Sequence, residues 1–261
     1  KVETDPKKIW QLFADNYHLF VGTPSGNWLA YEFGKIFGIE EKPNSINAQS
    51  IYDKLQEKLN TPEFLPRNLI EVLSTTDAAN DSLNQHKEIK NSGWNKRVIP
   101  CFRPDAVTDL SARNWKQNLS ALEKSVGYEI TNFKNLIQAL EDRRKYFKEV
   151  GATSTDHGVF APYTHQLTSK EADAIFNRAL NNKLEENDAK LFTANMLMEM
   201  ARMSIDDGLT MQIHPGSYRN HNEIIFNRFG LDKGCDIPMQ TEYTFNLKEL
   251  LNKYGNNENL T

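Results

Sequence analysis

Cysteine is scarce: Cys101 and Cys235 are the only two in 261 residues. Two are too few for a disulfide scaffold and have no metal-ligand spacing, so a reducing, cytoplasmic setting is expected. No apolar run is long enough to cross a bilayer as a helix, and no membrane partner is expected. An excess of positive charge is also missing: 31 Lys and Arg face 35 Asp and Glu, for a net charge of -4. Without a basic stripe or tail, no nucleic-acid partner is expected. There is no dinucleotide fingerprint, phosphate loop, Cys-x-x-Cys pair or His-Glu-x-x-His. Nucleotide-binding and zinc-finger readings therefore have no support.

What is present suffices for a sizeable core, since 39% of residues are hydrophobic. Residues 5 to 60 read as helical. Asp5-Pro6 has the form of an N-cap with proline at the first helical position. Ile9, Trp10, Phe13 and Tyr17 recur at helical spacing, Thr23-Pro24-Ser25-Gly26 interrupts them, and Asn44 or Ser45 can cap a third run. Further on, strands alternate with helices. The strands expected are Val72-Leu73 with neighbouring Ile70, Val98 to Phe102 (short enough to be buried on both faces), Gly151 to Thr155 and Leu209 to Ile213. Helices are expected over 81–92, 131–149, 168–206, 221–229 and 246–254. The run MLMEMARM in the fourth strand's preceding helix reads as core packing. Alternation of this kind means parallel βα units, with chemistry at the carboxyl ends of the strands.

Each expected strand ends in polar residues. Arg103, in Arg103-Pro104-Asp105, can grip a carboxylate or phosphate through two parallel hydrogen bonds; a salt bridge to Asp105 is the structural alternative. His157, in Thr155-Asp156-His157-Gly158, and His214, before Pro215-Gly216, are candidate acid/base groups or metal ligands. Asp156 can orient a ring, although adjacent strand residues point to opposite faces. Arg219 is a second candidate anion clamp. Asp77 can bind a hydroxyl, orient a histidine or, the favoured reading, cap the next helix. His18, His86 and His165 lack a supporting motif and are taken as structural. The set suits a small, anionic, hydroxylated substrate.

The pieces VLSTTDAANDSLNQHKEI, VIPCFRPDAV, EVGATSTDHG, MLMEMARMSIDDGLTMQIHPGSYRNHN and GCDIP, with the opening KKIWQLFADNYHLFVGTPSGNWLAYEF, resemble the uronate (glucuronate) isomerase family, a branch of the amidohydrolase superfamily. The resemblance implies an α/β fold, a TIM-like (β/α)8 barrel of the metal-dependent hydrolase type, incomplete here. Residues 1–66 would be an N-terminal helical segment and 67–261 a partial barrel. It implies aldose–ketose isomerisation of D-glucuronate to D-fructuronate and of D-galacturonate to D-tagaturonate through a cis-enediol. A divalent metal, zinc, and a homo-oligomer are implied as well. By this resemblance Arg103, Asp77 and Arg219 contact the sugar acid, His157 and His214 are catalytic, and His214 is a possible metal ligand.

Three departures stand out. A His-x-His, an Asp-Ser-Arg and a Trp-Trp-Phe segment of the family's pattern are absent, so the main metal ligands are expected outside this chain, which reads as an inactive internal portion on its own. Asp77-Ala78-Ala79 stands where many relatives have two aspartates and a proline, and the connection at Leu65 to Leu73 is short. The competing readings are another amidohydrolase-type metal enzyme for a small carboxylate and a non-catalytic domain that binds sugar acids.

Overall fold

The computed structural model describes residues 3–64, 70–94 and 96–260. The chain forms two compact units, Lys1–Glu71 and Val72–Thr261. The shortened connection at Leu65 to Leu73 lies largely outside the described residues.

The first unit is helical. Asp5 caps the helix Pro6–Asp15 by accepting from the backbone N–H of Lys7. Thr23-Pro24 does more than interrupt the pattern: Thr23 accepts from Gly26 N and starts the helix Pro24–Tyr31. The third helix begins later than expected, at Ala48–Leu59, because Asn44 spends its side chain on the N–H groups of Ile46 and Asn47. Tyr17, Phe33, Ile51 and Leu55 form the buried centre, with Trp10 and Phe13 packed on it. The Trp10 indole donates to Ala48 O at 2.6 Å and so ties the first helix to the third.

The second unit is built on four parallel strands, β1 (Val72–Ala78), β2 (Arg97–Arg103), β3 (Ser154–His157) and β4 (Thr210–Ile213), lying side by side in chain order. Strand order that follows chain order, with helical crossovers, is the pattern of a (β/α) barrel arc. β1 runs straight through Asp77, so the polar TTD is strand rather than the loop after it. β3 starts later than expected because Gly151, at φ 118°, terminates the preceding helix. β2 is buried from Pro100 to Phe102, but Val98 and Ile99 are only half covered. The short helix Asp105–Thr108 and the longer Trp115–Val126 were not expected.

The helix-facing side of the sheet carries the core. Phe102 meets Phe147 edge-on at 5.1 Å, and Leu136, Leu140, Phe176, Phe192 and Met196 are buried around them. The methionine-rich helix Asp188–Asp207 buries Met196, Met198, Met200 and Met203, as core packing requires. After β4 comes a small antiparallel pair, β5 (Ser217–Tyr218) with β6 (Ile237–Pro238), spanned by the helix Glu223–Phe229; the helix Lys248–Tyr254 follows. Among the described residues no helix is long and apolar enough to cross a membrane.

Candidate active site

The register decides which side chains meet. Parallel neighbours in register share a face. Asp77 is level with Phe102, Phe102 with Thr155, and His157 with Ile213, which places this row on the helix side. The alternate row, Thr76, Cys101, Arg103, Ser154, Asp156 and Gln212, lines the other face. The contact of Ser154 Oγ with Cys101 Sγ at 3.3 Å belongs to that row. Burial raises the Cys101 thiol above its ordinary pKa, so it is protonated rather than a nucleophile.

At the carboxyl end of this inner row three candidates come together. His214 continues the ladder by one step, its backbone N–H donating to His157 O at 3.1 Å. Its Nε2 then lies 2.5 Å from Asp156 Oδ1. The other Asp156 oxygen faces Arg103 Nη1 at 3.5 Å, and Arg103 Nε donates to Asp105 Oδ2 at 2.7 Å. Burial opposes the Arg103 charge, but Asp105 and then Asp156 more than offset it and raise its pKa. Beside these groups is a cavity of about 330 Å³, lined by Gly158, Phe160, His214, Tyr218 and Arg219 among others. Arg219 is brought there by β5 and is held by Asp236, Nη1 to Oδ2 at 2.7 Å.

The other two candidates sit elsewhere. His157 faces the helices, is 2% exposed and contacts Thr155 Oγ1 at 2.9 Å. Burial first, and then the positive charge of Arg144, lowers its pKa to about 3, so the ring is neutral near pH 7. Asp77 does not cap the following helix. That turn is held by Asp81, which accepts from Leu83 N, while Thr75 donates to Asp77 Oδ2 at 2.6 Å and contacts His86 Nε2 at 2.8 Å. His86, read from sequence as an isolated helical histidine, is thus buried against a strand threonine and aspartate. Strand alternation was the signal for the Asp156–His214 pairing. Asp236 lies 17 residues from Arg219 and gave no local signal.

Among the described residues no three His, Cys, Asp or Glu side chains are grouped to hold a metal ion. His214 and Asp156 offer two donors at most, and each already faces the other, with a guanidinium alongside. The described residues therefore do not by themselves fit a metal centre.

Comparison with known proteins agrees with this architecture. The glucuronate isomerase family model matches residues 2–261. A uronate isomerase of Nostoc punctiforme is 52% identical, over 98% of this chain and 55% of its own length. One from Brucella canis is 46% identical, over 99% of this chain and 56% of its own. The crystal structure of glucuronate isomerase from Caulobacter crescentus matches with a TM-score of 0.92 at 43% identity, covering 99% of this chain and 55% of that one. The chain spans about half the length of the curated relatives it matches. Its parallel strands are an arc of the TIM-like, amidohydrolase-type barrel. The chain belongs to the glucuronate isomerase family.

Proposed function

We propose that this chain carries part of the active site of a uronate isomerase that interconverts D-glucuronate with D-fructuronate, and D-galacturonate with D-tagaturonate, in sugar-acid catabolism. The observation that carries the reading is the meeting of Arg103, Asp156 and His214 at one strand-end rim, beside a cavity that His214 and Arg219 line. Two arginines suit a substrate with a carboxylate. The reaction needs a group that removes the C2 proton of the aldose while the C1 oxygen gains one, giving an enediol; return of a proton to C1 and loss of the O2 proton give the ketose. His214 is suited to the first step. With Nε2–H donated to Asp156, Nδ1 keeps a lone pair to take the C2 proton.

A divalent metal, zinc, stays in the reading on the family resemblance, and no step here runs through it. His157 and Asp77, which face the helices, serve this reading by holding the rim rather than by touching sugar. A homo-oligomeric cytoplasmic enzyme completes it.

The test is conversion of D-glucuronate by the full-length protein in D2O. Product ketose carrying solvent deuterium at C1 is expected. Absence of turnover on both D-glucuronate and D-galacturonate sinks the reading, and product without solvent deuterium means that the abstracted proton is returned to C1 before it exchanges. The same assay on this 261-residue chain is expected to show no turnover.

A further inference from the structure

Asp105 ties three pieces of the rim together. It opens the helix Asp105–Thr108, just beyond the end of β2. Its Oδ2 accepts from Arg103 Nε at 2.7 Å and from the backbone N–H of Gly158, at the exit of β3, at 2.9 Å. One oxygen therefore sets the angle of the guanidinium and holds the neighbouring strand end against it. The Asp105 side chain is only 23% exposed, so this is not a pair screened away by solvent. There is little room for another arrangement. A Cβ built on Gly158 would overlap Arg103 Nη2 and would lie 3.1 Å from Asp105 Oδ2 and 3.0 Å from His214 Cε1. With Nε fixed and Nη2 lying against Gly158, Nη1 is left directed at Asp156, whose other oxygen meets His214.

We propose that Asp105 is a positioning residue for the sugar-acid site: it acts through Arg103, fixing the direction of the guanidinium toward the substrate and toward Asp156. The proposal rests on the isomerase reading above. Asp105 is not a substrate contact in this account. It is an anion that would repel a uronate, and its carboxylate oxygen is already given to Arg103 and Gly158.

The experiment compares four forms of the full-length protein: wild type, Asp105→Asn, Arg103→Ala and the double variant. Each is assayed for kcat and KM on D-glucuronate and for its thermal midpoint. Asp105→Asn preserves shape and removes the charge. It is expected to lower kcat/KM about 10- to 100-fold, the range of a lost charged hydrogen bond, in protein that is still folded at the assay temperature. In the Arg103→Ala background the same change is expected to cost less than about twofold, since the residue it acts through is gone. An equal cost in both backgrounds, or a silent Asp105→Asn, overturns the proposal. If Arg103→Ala is too slow to assay, the Arg103 Nε–H resonance decides. In Asp105→Asn it must move and exchange faster with water; an unchanged signal overturns the proposal. Failure of the isomerase reading is seen separately, as wild-type protein that turns over neither uronate.

Discussion

Gly158 shows how a missing side chain shapes chemistry. The backbone there is not in the left-handed region that demands glycine; what it supplies is space, because the Arg103 guanidinium occupies the volume a Cβ would take. Gly158→Ala is therefore expected to act as local overpacking, costing about 1–3 kcal/mol of stability. On the function proposed above, it is also expected to displace Arg103 and lower kcat/KM on D-glucuronate in the full-length protein. Thermal melts and steady-state kinetics on one preparation check both parts; normal kinetics would mean that Arg103 moves aside without consequence. At this scale the sequence was informative about residue type and less so about direction. Arg103 and His214 follow short apolar runs and were legible as strand-end candidates. His157 follows a small, polar strand, GATST and then Asp156, and alternation turns it toward the helices, where it is buried. Asp156, its neighbour, takes the inner position instead. Asp77 offers a similar lesson. Asp before a helix favours capping as a rule, yet β1 continues through it and Asp81 takes the cap-like role.

Elements depend on clamps that leave no periodic trace. Phe133–Val150 and Asp188–Asp207 are long helices on the same side of the sheet, and their apolar spacing made both legible. What locks them together is polar. Arg144, 1% exposed, donates from Nε and Nη2 to the Asp207 carboxylate at 2.6 and 2.9 Å, and from Nη2 to Ser204 at 3.0 Å. Arg144→Ala would leave Asp207 without its paired cation and open a cavity. A loss of about 3–5 kcal/mol is expected by chemical denaturation, the range for breaking a buried pair. A loss under about 1 kcal/mol would mean that solvent at Asp207 compensates the pair. A buried arginine on an otherwise amphipathic helix reads as surface in the sequence, because only the partner's position reveals it. Trp115–Val126 was missed for a different reason. Trp115, Leu119 and Leu122 have helical spacing and are buried, but the segment begins at Asn114 with no side-chain cap bond to mark the start.

Over the whole molecule, α/β character and parallel pairing were legible because strand and helix periods alternate. The closing geometry was less so. β1 bears exposed Val72, Leu73 and Ser74, so an apolar strand is not always a covered one. A molecular property also follows from one side chain. His157 is neutral in the fold, its pKa lowered to about 3 by burial first and then by the neighbouring positive groups. In the unfolded chain the ring titrates near 6.5. Between those values the unfolded state binds the extra proton, so acid favours unfolding. Stability from this group is whole above pH 6.5 and falls as pH drops toward 3. The slope is about 1.4 kcal/mol per pH unit, or about 2 kcal/mol between pH 7 and pH 5. Other groups titrate in the same range, so the comparison that isolates the ring is with His157→Gln, which cannot gain that proton. Denaturation at pH 7 and pH 5 should show wild type losing about 2 kcal/mol more than the variant. Equal losses would mean that His157 takes up its proton in the folded state, against the burial and the neighbouring Arg144 that keep it neutral.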